Sequence, residues 1–215
     1  MNIHTISMGP VEANCYIVSS NEDNIGFVID PGSVDISKIK TIIEDEQLQI
    51  KAILLTHGHF DHILGVDELR KLTGAKLYIH EADKSKLIEP NDNLSKYMGA
   101  GYYFEPADEL LHDGDTIEIG DLHIKVLHTP GHTPGGVCYY VNNCIFTGDT
   151  LFAGSIGRTD FPNGSQKDLM VSIQNKLLCL PDETIVYPGH NRKSTIIAEK
   201  NNNPYLKNID ANFND

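Results

Sequence analysis

The sequence is short of the features that mark export, membrane insertion and nucleic-acid binding. No apolar stretch approaches the roughly 18 residues needed to cross a bilayer. The opening, MNIHTISMGPVEANCYIV, has no basic segment followed by an apolar one, so no secretory leader is expected. Positive charge is scarce. Seventeen Lys and Arg against 30 Asp and Glu leave a formal charge of −13, the wrong sign for a partner made of phosphate or anionic lipid. Cysteine is scarce too. Cys15, Cys138, Cys144 and Cys179 form no CxxC pair. Cys15, Cys138 and Cys179 lie in apolar surroundings and are expected as small buried hydrophobes rather than as a disulfide frame or zinc knuckle. There is no low-complexity block and no Ser/Gly-rich linker. These absences point to a cytoplasmic chain with a small-molecule partner, no nucleic acid and no membrane. Its 215 residues, 40% of them hydrophobic, suffice for a full core in one domain spanning residues 1–215. Nothing in them specifies an oligomeric state.

What is present begins with strands. NCYIVSS and IGFVID alternate as a hairpin around NEDN. DISKIKTIIEDE has helical spacing, with Asp35 as its expected cap. IKAILLT reads as a buried strand, DHILGVDELRKLTG as one amphipathic helix stopped by Gly74, AKLYIH as a strand and EADKSKLI as a short helix. Periodicity fails from Glu89 to Glu109, a stretch carrying Tyr97, Tyr102, Tyr103 and Phe104. Irregular segments of that length are often functional, and a lid over the site competes with simple packing. DTIEIGDLHIKV reads as a hairpin turning at Gly120–Asp121, followed by strands in GGVCYYV and NCIFTG. A helix capped by Ser165, a strand in ETIVYPG and a helix over NRKSTIIAEKNN complete the pattern. The mixture implies an α/β layered fold, two sheets with helices outside them.

Residues 56–62 read THGHFDH, three histidines and an aspartate at the end of a buried strand. Ligands gather at the carboxyl ends of strands in α/β sheets. HTPGHTPGG, FTGDTLF and YPGHNRK have the same address, each a Gly- or Pro-bearing turn with a His or Asp. One such turn is a weak sign, but four together are not easily accidental. Imidazole and carboxylate suit zinc, and also iron or manganese. His57 and His59, two apart, can meet one ion, and Asp61 and His62 a neighbour. His132 and His190 complete five imidazoles, and Asp149 can bridge with its two oxygens. That set suits two divalent ions, most simply zinc, each with a position left for water. Two such ions about 3.5–4 Å apart lower the pKa of a shared water and give a bridging hydroxide nucleophile at neutral pH. Their charge would bring −13 + 4 = −9.

THGHFDH, TPGHTPGG, GDTLF and YPGH, in that order, resemble the metallo-β-lactamase-fold hydrolases, and within them glyoxalase II-like proteins of a short bacterial type. The resemblance implies an αββα four-layer sandwich with the metal centre at one edge of the facing sheets. It implies that His57, His59 and His132 hold one ion, Asp61, His62 and His190 the other, and that Asp149 bridges. The implied activity is a metal-dependent hydrolase, a thioesterase of hydroxyacylglutathione type, with Asp61 orienting the attacking water or moving its proton.

Two departures are visible. The family's C-terminal helical glutathione-binding domain has no counterpart after His190, and the family's Lys-Phe-Tyr grip on glutathione is replaced by GSIGRTDFPNGS. Arg158 is the candidate for an anionic substrate group, against a salt bridge with Asp160. Arg192 and Lys193, just after His190, are further candidates. GRTDF also occurs in persulfide dioxygenases, which use one iron on the first ligand set, so that activity is the main alternative. A metallo-hydrolase acting on another ester, thioester or phosphodiester is the next, and a secreted β-lactamase is disfavoured.

Overall fold

Strands covered on both faces carry unbroken apolar runs, and such runs lie near the middle of two sheets. The computed structural model describes residues 1–99 and 101–207. In chain order the strands are β1 Asn2–Met8, β2 Ala13–Ser19, β3 Ile25–Ile29, β4 Gln49–Leu54, β5 Lys76–His80, β6 Glu109–Leu111, β7 Thr116–Ile119, β8 Leu122–His128, β9 Val137–Val141, β10 Cys144–Gly148, β11 Leu151–Phe152, β12 Ser155–Ile156, β13 Ile185–Pro188 and β14 Ser194–Thr195. The first sheet runs β1-β2-β3-β4-β5-β6 and the second β14-β13-β10-β9-β8-β7, with β11 and β12 as a separate hairpin. β2, buried along its whole length, shows why the sheets stack. Tyr16 and Val18 face the second sheet, packing with Phe27, Leu54, Ile124, Tyr139 and Phe146. Cys15 and Ile17 face outward, onto helices α1 Ser37–Asp45 and α3 Val66–Thr73. The second sheet likewise turns Cys138, Ile145 and Val186 onto α4 Gln166–Ser172 and α5 Ile196–Asn202. The result is an αββα sandwich.

Several expectations change in detail. The hairpin gains an earlier partner, β1, which pairs antiparallel with β2. Asp35 is not the cap of α1, since Ile36 occupies that position; its carboxylate instead accepts the Ser37 amide at 2.9 Å. The single helix after the histidine cluster is two, α2 Phe60–Ile63 and α3, broken where the Gly65 amide donates to Pro31 O at 2.7 Å. The last helix starts later, at Ile196, because Ser194 and Thr195 pair as an edge strand and Thr195 then caps it through the Ala198 amide. Ser165 does cap α4, accepting from Asp168 N. Cys179 is exposed, and Cys144 is the third buried cysteine with Cys15 and Cys138. No helix is long and apolar enough to cross a membrane among the described residues. The end of the polar tail, residues 208–215, lies outside the described residues, so the structure does not bear on the single-domain expectation there.

Candidate metal centre

The four ligand-bearing turns follow β4, β8, β10 and β13, whose carboxyl ends share one edge of the sandwich. β10 and β13 are parallel, with Gly148 beside Pro188, which puts Asp149 next to His190. Buried polar ties lock the two sheets there. Tyr139 Oη donates to Leu55 O at 2.6 Å, Val137 N to Thr56 O at 2.8 Å and Tyr16 Oη to Pro188 O at 2.6 Å. Two glycines are needed for close approach. A Cβ on Gly58 would come within 2.5 Å of Lys86 Cβ, and one on Gly189 within 2.3 Å of Asp149 Oδ1.

The seven expected ligands come together. His57, His59 and His132 form one group of buried ligand atoms and Asp61, His62 and His190 another, each within 4.8 Å. The Asp149 carboxylate lies between them, with Oδ2 3.5 Å from His132 Nε2 and 3.7 Å from His190 Nε2, and Oδ1 3.4 Å from His62 Nε2. Asp61 Oδ2 is 3.5 Å from His62 Nε2 and 3.4 Å from His190 Nε2. Ligand bonds of about 2.0–2.1 Å at a tetrahedral angle set ligand atoms about 3.3 Å apart, so these separations suit a shared ion. Three of the four buried side-chain polar atoms left without a hydrogen-bond partner, among the described residues, belong to this set: His57 Nε2, His62 Nε2 and Asp149 Oδ1. Buried polar atoms are rarely left so unless something else satisfies them.

The imidazoles are aimed from behind. His62 Nδ1 donates to Asp30 Oδ2 at 2.9 Å, and Thr56 Oγ1 donates to the same oxygen at 2.6 Å. Since the Thr56 proton is thereby engaged, Thr56 Oγ1 accepts from His57 Nδ1, 3.1 Å away. His132 Nδ1 donates to Arg158 O at 2.7 Å. Each of these bonds turns Nε2 toward the other ligands, bare in His57 and His62 and 2.9 Å from His59 Nδ1 in His132, as ligation requires. Asp30 could itself be counted with His57 and His62 as a ligand group, but its oxygens are taken by the Thr56 amide, the Thr56 hydroxyl and His62. It positions ligands.

The electrostatics ask for cations. Burial, and then the other imidazoles, hold His57 and His59 well below the usual histidine range. Burial also opposes charge on His62, yet Asp61, Asp149 and Asp30 together push its proton affinity up. Burial alone would raise Asp61, but His62 and His190 hold it below the usual carboxylate range. A divalent ion supplies the positive charge that those carboxylates otherwise draw from protons.

Asp30 and Asp83 escaped the sequence reading. Asp30 had a signal, ending a buried strand before Pro31–Gly32 as the ligands do. Asp83, fully buried, accepts Gly58 N at 3.0 Å and Gly135 N at 2.8 Å, bolting the His57–His59 turn to the one around His132. Nothing in its spacing announced that role.

A cavity of 460 Å³ opens over the metal centre, lined by His59, Asp61, His132, Asp149, His190 and a wall of apolar side chains. Arg158 lines it, but its Nε and Nη2 donate to the two Asp160 oxygens at 2.8 and 2.7 Å, and its guanidinium sits 4.0 Å from the Phe161 ring centre. Arg192 and Lys193 are exposed and do not line the cavity. Of the suggested lid, among the described residues, Tyr97 and the neighbouring Leu94 reach it. Tyr102 and Tyr103 line a different groove with Val34 and Leu72, and Phe104 is in the core. Asn93 fixes this segment, its backbone oxygen accepting Phe60 N at 2.9 Å and its Nδ2 donating to Lys86 O at 2.7 Å.

A family model described as the metallo-beta-lactamase superfamily matches residues 8–190. A probable metallo-hydrolase of Bacillus subtilis, YqgX, is 39% identical over 209 residues, covering 96% of this chain and 98% of its own. The hydroxyacylglutathione hydrolase GloC of Haemophilus influenzae is 35% identical, with the same coverage of 96% and 98%. Among solved structures, the BLEG-1 B3 metallo-beta-lactamase superposes with a TM-score of 0.91 at 40% identity, covering 96% of this chain and all of its own. A protein crystallised in a di-iron-bound form gives 0.83 at 35% identity, with 94% and 100% covered.

Proposed function

The chain belongs to the metallo-beta-lactamase superfamily, and from that premise we propose that it is a binuclear hydrolase of small thioesters, of the hydroxyacylglutathione hydrolase type. The observation that carries the proposal is the pair of three-ligand groups with the Asp149 carboxylate between them. It favours two ions over the single iron of a persulfide dioxygenase, because Asp61, His62 and His190 are gathered as closely as the first group. His57, His59 and His132 would hold one ion, Asp61, His62 and His190 the other, with Asp149 shared.

When bound, the pair supplies Lewis acidity toward a carbonyl and a water of lowered pKa. The chain does the rest. Asp61 faces the cavity and orients the attacking water. Asp30 and Thr56 keep the His57 and His62 rings from turning as charge develops. Phe161, edge-on to His59 at 5.6 Å, and Phe152, edge-on to His190 at 6.0 Å, keep bulk water off the reacting centre. Water adds its oxygen to the carbonyl carbon and gives up its proton by way of Asp61, the carbon–sulfur bond breaks, and the thiolate leaves without needing a strong acid. Where a substrate carries an anionic end, Arg158 is proposed to meet it by opening its pair with Asp160, and for such a substrate alone Arg158→Ala is then expected to raise KM and leave kcat near its starting value.

The test is metal content measured with hydrolysis of S-D-lactoylglutathione and of a neutral thioester. Two ions per chain and cleavage of either compound support the proposal. One iron with oxygen uptake would replace it with the dioxygenase. A second reading, β-lactam hydrolysis, is favoured by the 40% identity to a protein named a B3 metallo-beta-lactamase; opening of nitrocefin without thioester turnover would establish it instead.

A further inference from the structure

The walls of the cavity are unlike what a charged carrier requires. Val11, Phe60, Leu94, Tyr97, Phe152 and Phe161 form its sides. Phe161 and Phe152 carry that apolar surface up to both ligand groups, touching His59 on one side and His190 on the other. Arg158, the single Lys or Arg lining the cavity among the described residues, is already engaged by Asp160 through two hydrogen bonds and lies over the Phe161 ring. The acids Asp61 and Asp149 face inward, and any ions they hold serve the carbonyl. A carrier with two carboxylates and an ammonium finds a single cation in that lining, already paired, so charges laid against the rings and alkyl chains would lack partners.

We propose, resting on the hydrolase reading above, that this site prefers thioesters whose acyl group is apolar, a medium alkyl chain or an aryl ring, and that it does not need a charged thiol carrier. Rings on both sides of the ligand groups bury such a chain as it reaches the carbonyl. Each added methylene is then worth about fourfold in kcat/KM until the cavity is full.

Two series test this on the metal-loaded full chain. The first holds the carrier fixed as N-acetylcysteamine and varies the acyl group through acetyl, butyryl, hexanoyl, phenylacetyl and lactoyl. The second holds the acyl group and exchanges N-acetylcysteamine for glutathione. A rise on the order of 10²-fold from acetyl to hexanoyl, less only where the cavity fills before the sixth carbon, with phenylacetyl above lactoyl and glutathione giving no more than a twofold gain, is the expected result. Phe161→Ala and Phe152→Ala are expected to flatten the rise. A flat series, or lactoylglutathione exceeding every apolar thioester, overturns the proposal while leaving the hydrolase reading intact. Calorimetry with the product acids gives a readout independent of turnover. Hexanoate binding at least tenfold tighter than lactate supports the apolar wall even if no thioester is cleaved, in which case the hydrolase reading fails by itself, and equal affinities count against the wall.

Discussion

Histidines collect twice at the same edge of this molecule, and the two collections behave differently. In the metal centre the rings of His57, His59, His62 and His132 meet edge-on or tilted, with centroids 4.2–4.8 Å apart, and Nε2 of His62 and of His132 face the Asp149 carboxylate, that of His62 also Asp61. A few residues away, His80 at the end of β5 and His128 at the end of β8 lie face to face, 4.0 Å apart and 9° from parallel. One nitrogen of each is spent on backbone. His80 Nδ1 accepts from Ala82 N at 3.2 Å and His128 Nε2 donates to Pro134 O at 2.9 Å. Both collections sit where strands end, so address and residue type do not distinguish a ligand from a packed ring. What distinguishes them is that metal-centre rings held from behind turn a second nitrogen toward carboxylates aimed between them. Asp83 stands between the two collections, continuous in sequence with His80 and hydrogen-bonded to both ligand turns.

The comparison breaks most directly by removing a ligand from one collection and a ring from the other. Asp149→Ala is expected to lower kcat/KM on the order of 10³-fold or more, several kcal/mol of transition-state stabilisation, with bound metal falling below two ions per chain. Chelation of the unaltered protein is expected to do the same, and added metal to reverse it. His80→Ala is expected to keep both ions. Metal analysis and activity on the same preparations decide the matter: equal metal loss in the two variants would show that the distinction between the collections is not real.

A smaller effect is expected at the join. Asp83→Asn keeps one carbonyl-like acceptor and loses the charge and the second acceptor, so either the Gly58 or the Gly135 amide is left unpaired in a buried place. That costs about 1–3 kcal/mol of local order, and loss of ligand support of this kind typically weakens metal binding or activity about 10–100-fold. Competition with a chelator of known affinity measures it. At saturating metal the variant should regain much of its kcat, since Asp83 positions the turns and touches no reacting atom. An unchanged metal affinity would make the two ligand turns independent of each other.

The same contrast explains what the sequence could and could not tell. The ligands were legible because each follows an apolar strand and sits in a Gly- or Pro-bearing turn, two signals that are local. His80 also ends a strand but lacks that turn chemistry; His128 has it, standing at the head of HTPGHTPGG, and only its bond to Pro134 O in the fold separates it from the ligands. Asp83 was not legible because its importance comes from two amides 25 and 52 residues away. The break between α2 and α3 was hidden for a similar reason: periodicity continues through Leu64–Gly65, while the interruption comes from Pro31 on another segment. The cavity wall was hidden most deeply. Val11, Leu94, Phe152 and Phe161 come from four separate segments of the chain, and only the folded edge brings them to one surface.

The smallest expected effect concerns pH, and it tests whether His80 in the stack is held neutral by its surroundings. Burial lowers the His80 pKa, and His128 on β8 and His112 after β6 lower it further, while Asp83 and Glu81 beside it pull the other way; the balance brings it down to about 4. Unfolded, the same ring titrates near its ordinary value of about 6.5. Between those two values the unfolded chain holds a proton that the folded chain refuses, so stability is present in full above pH 6.5, declines as pH falls toward 4 and levels off below it. Allowing for water within reach of the stack, the loss is about 1–2 kcal/mol. The metal centre and the acidic surface titrate over the same range, so the measurement must be a difference. His80→Phe keeps a flat ring against His128 and cannot ionise, and its loss of the Ala82 hydrogen bond is a constant offset. Urea midpoints of metal-stripped protein from pH 7.5 to 4, unaltered against His80→Phe, should converge as pH falls, with the unaltered chain losing more. Parallel curves would mean that His80 takes up its proton at the ordinary pH inside the fold, and the stack would then differ from the metal centre only in lacking carboxylates.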